Sequence, residues 1–201
     1  MRAEPSQATV GKQPFIRRNF GWGTPVNADD IAVEVLPEEG WEKVAHIHPL
    51  VYPPENPITA VWASLQWADA DRRFVAFKNG EAVSHVGLFF RDGLRSGKPA
   101  SIAGIGGVMT HPAHQKHGYA RRLLTLAHEE AQRKNVDFAL LICELKNIPF
   151  YEQQGWQVFG GHMIHQQGGK SLNWSLSPVM VRDVVKRAPR GGMIDLRGLP
   201  W

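Results

Sequence analysis

Between Gly104 and Leu124 the sequence runs Gly-Ile-Gly-Gly-Val-Met-Thr-His-Pro-Ala-His-Gln-Lys-His-Gly-Tyr-Ala-Arg-Arg-Leu-Leu. Few folds accommodate that succession. It reads as a glycine-loosened strand, a proline-marked turn, a basic loop and the start of an amphipathic helix. From Ala120 the apolar positions fall at Ala120, Leu123, Leu124, Ala127 and Ala131, which is helical spacing. The first turn of that helix carries Arg121 and Arg122, and Lys116 and His117 come just before it. A helix N-terminus has a partial positive charge and prefers Asp or Glu by roughly 0.3–1 kcal/mol each. This one has the opposite sign. An anion held by the free N–H groups of the first turn resolves the conflict, and Gly118 lets the backbone approach it closely. A solvated basic helix start is the plainer alternative. Upstream, Gly104, Gly106 and Gly107 share one strand. Strand glycines mark bulges or the close approach of a ligand, and packing alone is a poor explanation for three of them.

On these residues the chain resembles a family. Gln115-Lys116-His117-Gly118-Tyr119-Ala120 fits the Gln/Arg-x-x-Gly-x-Gly/Ala signature of the GNAT superfamily of acyl-CoA-dependent N-acyltransferases, in the family's context of strand, turn and helix. Tyr151-Glu152-Gln153-Gln154-Gly155-Trp156 looks like the family's Tyr-x-x-x-Gly-aromatic segment. The last residues, Met193 to Trp201, are similar to the end of the aminoglycoside 2'-N-acetyltransferases, which also close on tryptophan.

A chain of 201 residues is long enough for one domain with a substantial core. At 43% hydrophobic and 21% charged it has ordinary globular composition. No run approaches the roughly 18 apolar residues of a membrane span, and the N-terminus lacks the apolar core of a secretory signal. The single cysteine, Cys143, suits a reducing cytoplasm, so a cytoplasmic location is expected. The net charge of +4 fits a nucleic-acid partner and a phosphorylated cosubstrate equally well.

Residues 1–30 are polar and aperiodic and read as an N-terminal arm, extended or disordered. Residues 31–201 read as one domain. Ile31 to Leu36 forms a strand, Glu38 to Leu50 a helix, and Asn56-Pro57 caps a second helix running to about Ala70. Arg73 to Lys78 and Ala82 to Arg91 flank Asn79-Gly80, the strongest hairpin signal in the chain. Gly93 to Gly97 turns into the strand Pro99 to Thr110, followed by the helix Tyr119 to Lys134. Val136 to Cys143 is a continuous apolar run, as in a central strand buried on both faces. A short helix, Ile148 to Gln154, precedes strands at Trp156 to Phe159 and Ser177 to Val185. The expected order, β-α-α-β-β-β-α-β-α-β-β, is that of the GNAT fold: an α/β (α+β) architecture with a mixed, mostly antiparallel sheet of about seven strands.

Acyl transfer from a thioester to an amine needs a cradle for the pyrophosphate, a donor for the thioester oxygen, a base and an acid. The resemblance places acetyl-CoA on Gln115, Lys116, His117, Gly118, Tyr119, Ala120 and Arg121, the thioester oxygen on the N–H of Val108, and the pantetheine along Met109 and Thr110, with Asn147 also lining it. Tyr151 matches the family's acid for the departing thiolate. The base stays open. The aminoglycoside 2'-acetyltransferases carry a glutamate at the position matching Gly106, which this chain lacks. Glu144, the C-terminal carboxylate of Trp201 and a water chain are the candidates. Leu199-Pro200-Trp201 is too apolar for a fraying end and is expected to fold back onto the domain.

Cys143, ending a buried run, reads as core. His111, His114 and His117 do not share a helix face and have no carboxylate or thiolate among them, so no metal is expected. Gly104 to Met109 misses the dinucleotide fingerprint, because it lies within a strand and its third glycine is replaced by Met109. The expected activity is acetyl transfer to a primary amine of a small molecule, with no nucleic-acid or membrane partner, and a homodimer is compatible with it. An aminoglycoside-modifying enzyme and a non-catalytic CoA-binding protein of the same fold are the alternatives.

Overall fold

The structure is a computed structural model that describes residues 31–201; the expected N-terminal arm lies outside the described residues. It is organised by β3 (Glu81–Arg95) and β4 (Lys98–Thr110), a long antiparallel hairpin. Ser96 and Gly97 close it with φ of 48° and 79°, the backbone a two-residue hairpin turn requires. Asn79 and Gly80, at 52° and 82°, join β2 (Arg72–Lys78) to β3 in the same way, as the Asn-Gly signal predicts. β1 (Ile31–Leu36) adds to the outside of β2.

Several expected boundaries move. The hairpin turn is Ser96-Gly97 and not Gly93 to Gly97. A Cβ on Gly93 would meet the Asp195 carbonyl oxygen at 2.6 Å, so this glycine admits a neighbouring strand. The expected helix over Glu38 to Leu50 is a pair of 3-10 turns (Glu38–Lys43 and Ala45–Ile47) followed by α1 (His48–Val51). No side chain caps any of these, and the buried Val44 and Ile47 stand three apart, a spacing that eclipses in a 3-10 helix. α2 (Pro57–Ala63), capped by Asn56 as expected, stops seven residues before Ala70. There the Trp67 indole donates to the Trp62 carbonyl (2.8 Å), and the Ala68 N–H donates to the Pro200 carbonyl (2.8 Å). Partners from outside the helix win that backbone.

After β4 come α3 (Tyr119–Arg133), β5 (Phe138–Ile142), α4 (Ile148–Glu152), β6 (Gln157–Val158), β7 (His162–Gln167), β8 (Lys170–Asn173), β9 (Val179–Asp183) and β10 (Met193–Asp195). The described sheet has ten strands, not seven, in the order β6-β9-β5-β4-β3-β10-β7-β8, with β2 and β1 branching from β3. Only β4–β5 and β10–β7 are parallel. The additions are the β7–β8 hairpin and β10, which inserts between β3 and β7. Every residue of β8 is exposed, so it has no apolar alternation to betray it.

β5 separates the two cores. Ala139 and Leu141 face α3, where they join Leu123, Leu124, Ala127, Ala131, Leu88 and Ile105. Phe138 and Leu140 face the other side, with Phe89, Ile102, Trp174, Ile194, Leu196 and Trp201. A smaller cluster of Leu36, Val44, Ile47, Val75, Ala82 and Met109 lies under the N-terminal turns.

Candidate active site

β4 and β5 pair only from Ile102↔Phe138 to Ile105↔Leu141. β4 continues to Thr110 while β5 ends at Ile142, so beyond Ile105 the two strands have no common ladder. At the same level β4 carries a bulge. Gly106 pairs with Gly87 and Met109 with His85, so Gly107 and Val108 together oppose Val86 alone. Gly107 takes φ +55°, which favours glycine.

Two side chains grip the bulge. His85, 1% exposed, places Nδ1 2.6 Å from the Gly107 carbonyl oxygen. The Tyr52 hydroxyl donates to the Val108 carbonyl at 3.2 Å. Tyr52 was not foreseen. It lies in the break after α1 among prolines, where no local pattern distinguishes a site tyrosine from a loop one. Burial, reinforced by the Glu144 and Cys143 charges, pushes its phenol up to about 12. Tyr151, on α4 and 6% exposed, is raised well above the ordinary value by burial, then by Tyr52 and Cys143. These mutual effects place Tyr52, Tyr151, Cys143 and Glu144 in one electrostatic neighbourhood at the end of β5. Cys143 is buried in the α3-side core, which pushes its thiol up to about 11; it is core, as expected.

Glu144 is mostly buried and paired with Lys146 at 2.9 Å. Asn147 is the residue before α4 and offers no side-chain cap. Met109 buries its side chain in the small N-terminal cluster, leaving only its backbone for a ligand. Thr110 shares a hydrogen bond with Ser84 through their hydroxyls (2.9 Å) and accepts one from Gln115 Nε2 at its carbonyl (3.4 Å). Gln115 thus ties the bulged strand to the basic loop.

The loop has the geometry of an anion cradle. Lys116 and Gly118 take φ of +66° and +78°, and no side chain caps the N-terminus of α3. A Cβ on Gly118 would meet nothing within 4 Å. The space above the first turn is therefore open, its N–H groups have no side-chain acceptor, and Lys116, Arg121 and Arg122 surround it exposed. His117 stacks on Tyr119 (5.6 Å between centroids), and Arg121 reaches Gln153 Oε1 at 3.3 Å, joining α3 to the end of α4. A pyrophosphate fits these residues. The rings of His111 and His114 lie 5.5 Å apart, and among the described residues no group of three His, Cys, Asp or Glu is placed to hold a metal.

The strand glycines have another occupant than expected. Trp201 is 5% exposed, stacks on Phe89 at 5.9 Å and donates from its indole to the Leu140 carbonyl at 3.3 Å. A Cβ on Gly104 would collide with that indole, and one on Gly106 would lie 3.0 Å from the Trp201 carbonyl carbon. Gly104 and Gly106 are packing glycines after all; only Gly107 serves the bulge. The fold-back of the tail is as expected, and it brings the Trp201 main chain over the residue next to the bulge. Beyond Glu144 lies an open cleft of about 480 Å³ lined by Ile58, Leu145, Lys146 and Ser175 to Pro178.

A family described as acetyltransferase (GNAT) domain matches residues 32–159. No curated protein matches the chain in sequence. Among solved structures, the GNAT family N-acetyltransferase YhbS from Escherichia coli, solved with CoA, superposes with a TM-score of 0.59 at 11% identity, over 87% of this chain and 94% of that one. A GNAT family acetyltransferase from Brucella melitensis, solved with acetyl-CoA, gives 0.56 at 13%, over 83% and 96%. The ribosomal-protein-S18-alanine N-acetyltransferase from Escherichia coli gives 0.52 at 18%, over 79% and 96%. At these identities the likeness is one of fold.

Proposed function

The chain belongs to the GNAT acetyltransferase family and is an acyl-CoA-dependent acyltransferase; on that premise we propose that it acetylates a primary amine of a small acceptor by direct attack, with no acyl-enzyme. The observation that carries this is the Val108 peptide, gripped from both sides where β4 and β5 part, one loop away from the anion cradle.

Acetyl-CoA supplies the activated acetyl group. The N–H groups of Gly118 to Arg121, with Lys116, Gln115 and His117 beside them, hold the pyrophosphate. The backbone of Met109 and Thr110, with Asn147 opposite, lines the pantetheine arm. The Val108 N–H receives the thioester oxygen and stabilises the charge that grows there. As the amine nitrogen bonds to the acyl carbon and the carbon–sulfur bond breaks, Tyr151 gives its proton to sulfur. The Tyr151 phenol is protonated at neutral pH and so has a proton to give, whereas Tyr52 is already committed to the Val108 carbonyl.

The amine's proton goes to a carboxylate. Glu144 is already engaged by Lys146 at 2.9 Å. The Trp201 carboxyl group lies over Gly106, where relatives of the aminoglycoside type carry a glutamate, and is the better candidate. The cleft beyond presents apolar Ile58, Leu145 and Leu176 and a single, lysine-paired acid. That lining favours an amine on an apolar body over a polycationic amino sugar.

The test is a panel of arylalkylamines, alkylamines, amino sugars and peptides incubated with acetyl-CoA, with thiol release followed. Turnover of an apolar amine supports the reading. Acetyl-CoA binding with no turnover on any amine would establish a non-catalytic CoA-binding protein instead.

A further inference from the structure

His85 is a buried residue that the acetyl-transfer steps above do not use. Its imidazole is 1% exposed, and its Nε2 has no hydrogen-bond partner among the described residues. An orphaned buried nitrogen costs stability that an apolar side chain of similar size would not. The imidazole is packed edge-on to Trp41 (5.9 Å between centroids), with Arg73 the charged group that faces it. Burial, only partly offset by the Gly107 contact, pushes its pKa down to about 4, so the ring is neutral at physiological pH and carries one N–H. A carbonyl only accepts, so that N–H is on Nδ1 and is donated to Gly107 at 2.6 Å.

The Gly107 carbonyl and the Val108 N–H belong to one peptide unit. No described peptide bond is cis, and in a trans peptide the two groups point in opposite directions. Fixing the carbonyl toward β3 therefore fixes the N–H away from β3, toward the gap between β4 and β5. The next carbonyl, of Val108, is held in turn by the Tyr52 hydroxyl. A glycine at φ +55° inside a bulge has other orientations open to it; the His85 bond selects one. Hydrogen bonding at a peptide carbonyl also polarises the unit and strengthens its N–H as a donor.

We propose that His85 is a positioning residue: by holding the Gly107 carbonyl it aims the Val108 N–H into the gap where a thioester oxygen binds. The proposal rests on the acetyltransferase reading above. It has a readout that needs no acceptor and no turnover. The dethia analogue of acetyl-CoA, with a methylene in place of sulfur, carries a ketone where the thioester carbonyl would be, and the same analogue with that ketone replaced by a methylene lacks it. Calorimetry on the full chain gives the ratio of their affinities, which reports the carbonyl's hydrogen bond alone. The wild type should prefer the ketone by about tenfold, as one good hydrogen bond allows. In His85→Leu the preference should fall to within about twofold of none, with the affinity of the ketone-free analogue unchanged. In His85→Asn, whose side-chain amide N–H can take the place of Nδ1–H, it should return.

An unchanged preference in His85→Leu overturns the proposal, as does an asparagine variant no better than leucine. Should His85→Leu fail to fold, His85→Met replaces it. If neither folds while His85→Asn does, the residue is holding the core and the proposal falls. A wild type that binds neither analogue defeats the acetyltransferase reading, and one that binds both equally defeats the role of Val108 and this proposal with it.

Discussion

Gly104 and Trp201, ninety-seven positions apart in the chain, occupy a single volume: a Cβ built on Gly104 would lie 2.7 Å from Cζ2 of the Trp201 indole and closer still to Cε2 and Cδ2. The glycine is the socket and the indole fills it. Gly104→Ala should therefore cost about 1–3 kcal/mol, the usual price of overpacking a core. Urea denaturation checks the loss. Amine acetylation should fall with it, because the displaced indole takes the Trp201 main chain away from Gly106.

A separate prediction concerns the Trp201 carboxyl group. Extending the chain by three residues past Trp201 keeps the indole but removes the charge from its place. Acetyl-CoA affinity should be unchanged, the melting temperature nearly so, and kcat should drop, typically by the hundredfold or more associated with a general base. Full activity in the extended chain would remove this carboxylate from the mechanism and return the role to Glu144 or to a water chain.

The cradle is tested at Gly118, with a control for backbone strain. Gly118→Asn and Gly118→Asp meet the same left-handed φ of +78° and the same open space, and both residues tolerate that conformation better than most. Only the aspartate adds negative charge beside the pyrophosphate. Calorimetry should find acetyl-CoA binding abolished by aspartate and weakened less than tenfold by asparagine. Equal losses would point to backbone strain, not to an anion site.

Tyr151→Phe should leave acetyl-CoA affinity nearly intact and lower kcat by about 10²–10⁴, the range of a general acid. Tyr52→Phe releases the Val108 carbonyl but keeps the acid, so its kcat loss should be smaller. A reversed ranking of the two variants would exchange their assignments.

Acid sensitivity follows from His85. Its folded pKa of about 4 lies below the ordinary value of 6.5, so between those values the unfolded chain binds the proton and the folded one does not. Stability rises with pH wherever the unfolded state holds more protons, so the contribution is present above 6.5 and is lost as the pH falls toward 4. Lowering the pH from 7 to 5 should cost about 2 kcal/mol from this residue. His128, lowered to about 4 by burial and then by Arg182, acts in the same direction. Urea midpoints for wild type and His85→Asn at the two pH values separate the residue's share; parallel curves would refute it.

The sequence was legible where local physics dominates. Asn79-Gly80 and the spacing after Ala120 announce a turn and a helix because each is decided within a few residues. The mis-signed helix start is a local signal too, and the uncapped first turn of α3 with open space at Gly118 is compatible with the anion site it points to. The early end of α2 and the insertion of β10 were illegible, since each depends on a partner far away in the chain; the 3-10 turns between Glu38 and Ile47 were illegible because what Val44 and Ile47 pack against, Val75, Ala82 and Met109, is equally distant. The strand glycines misled for the same reason. Gly104 and Gly106 point to close approach, but nothing near them says that the visitor is Trp201. His85 and Tyr52 had no signature, because a bulge on β4 gives no sign on β3 or in the break after α1 of what will hold it.

The pairing of Ile194 with Arg95 bears on the order of assembly. The β3–β4 hairpin closes across two residues, whereas β10 must return across ninety-nine to reach the same strand, and long loops close late. The face that holds Trp201 should therefore be completed after the hairpin and α3 have formed. Weakening the tail should quicken unfolding and leave the rate of folding unchanged, since contacts absent from the transition state act only on the way out. The side of the gap that holds Trp201 should thus open first under stress, while the bulge and the loop before α3 stay in place.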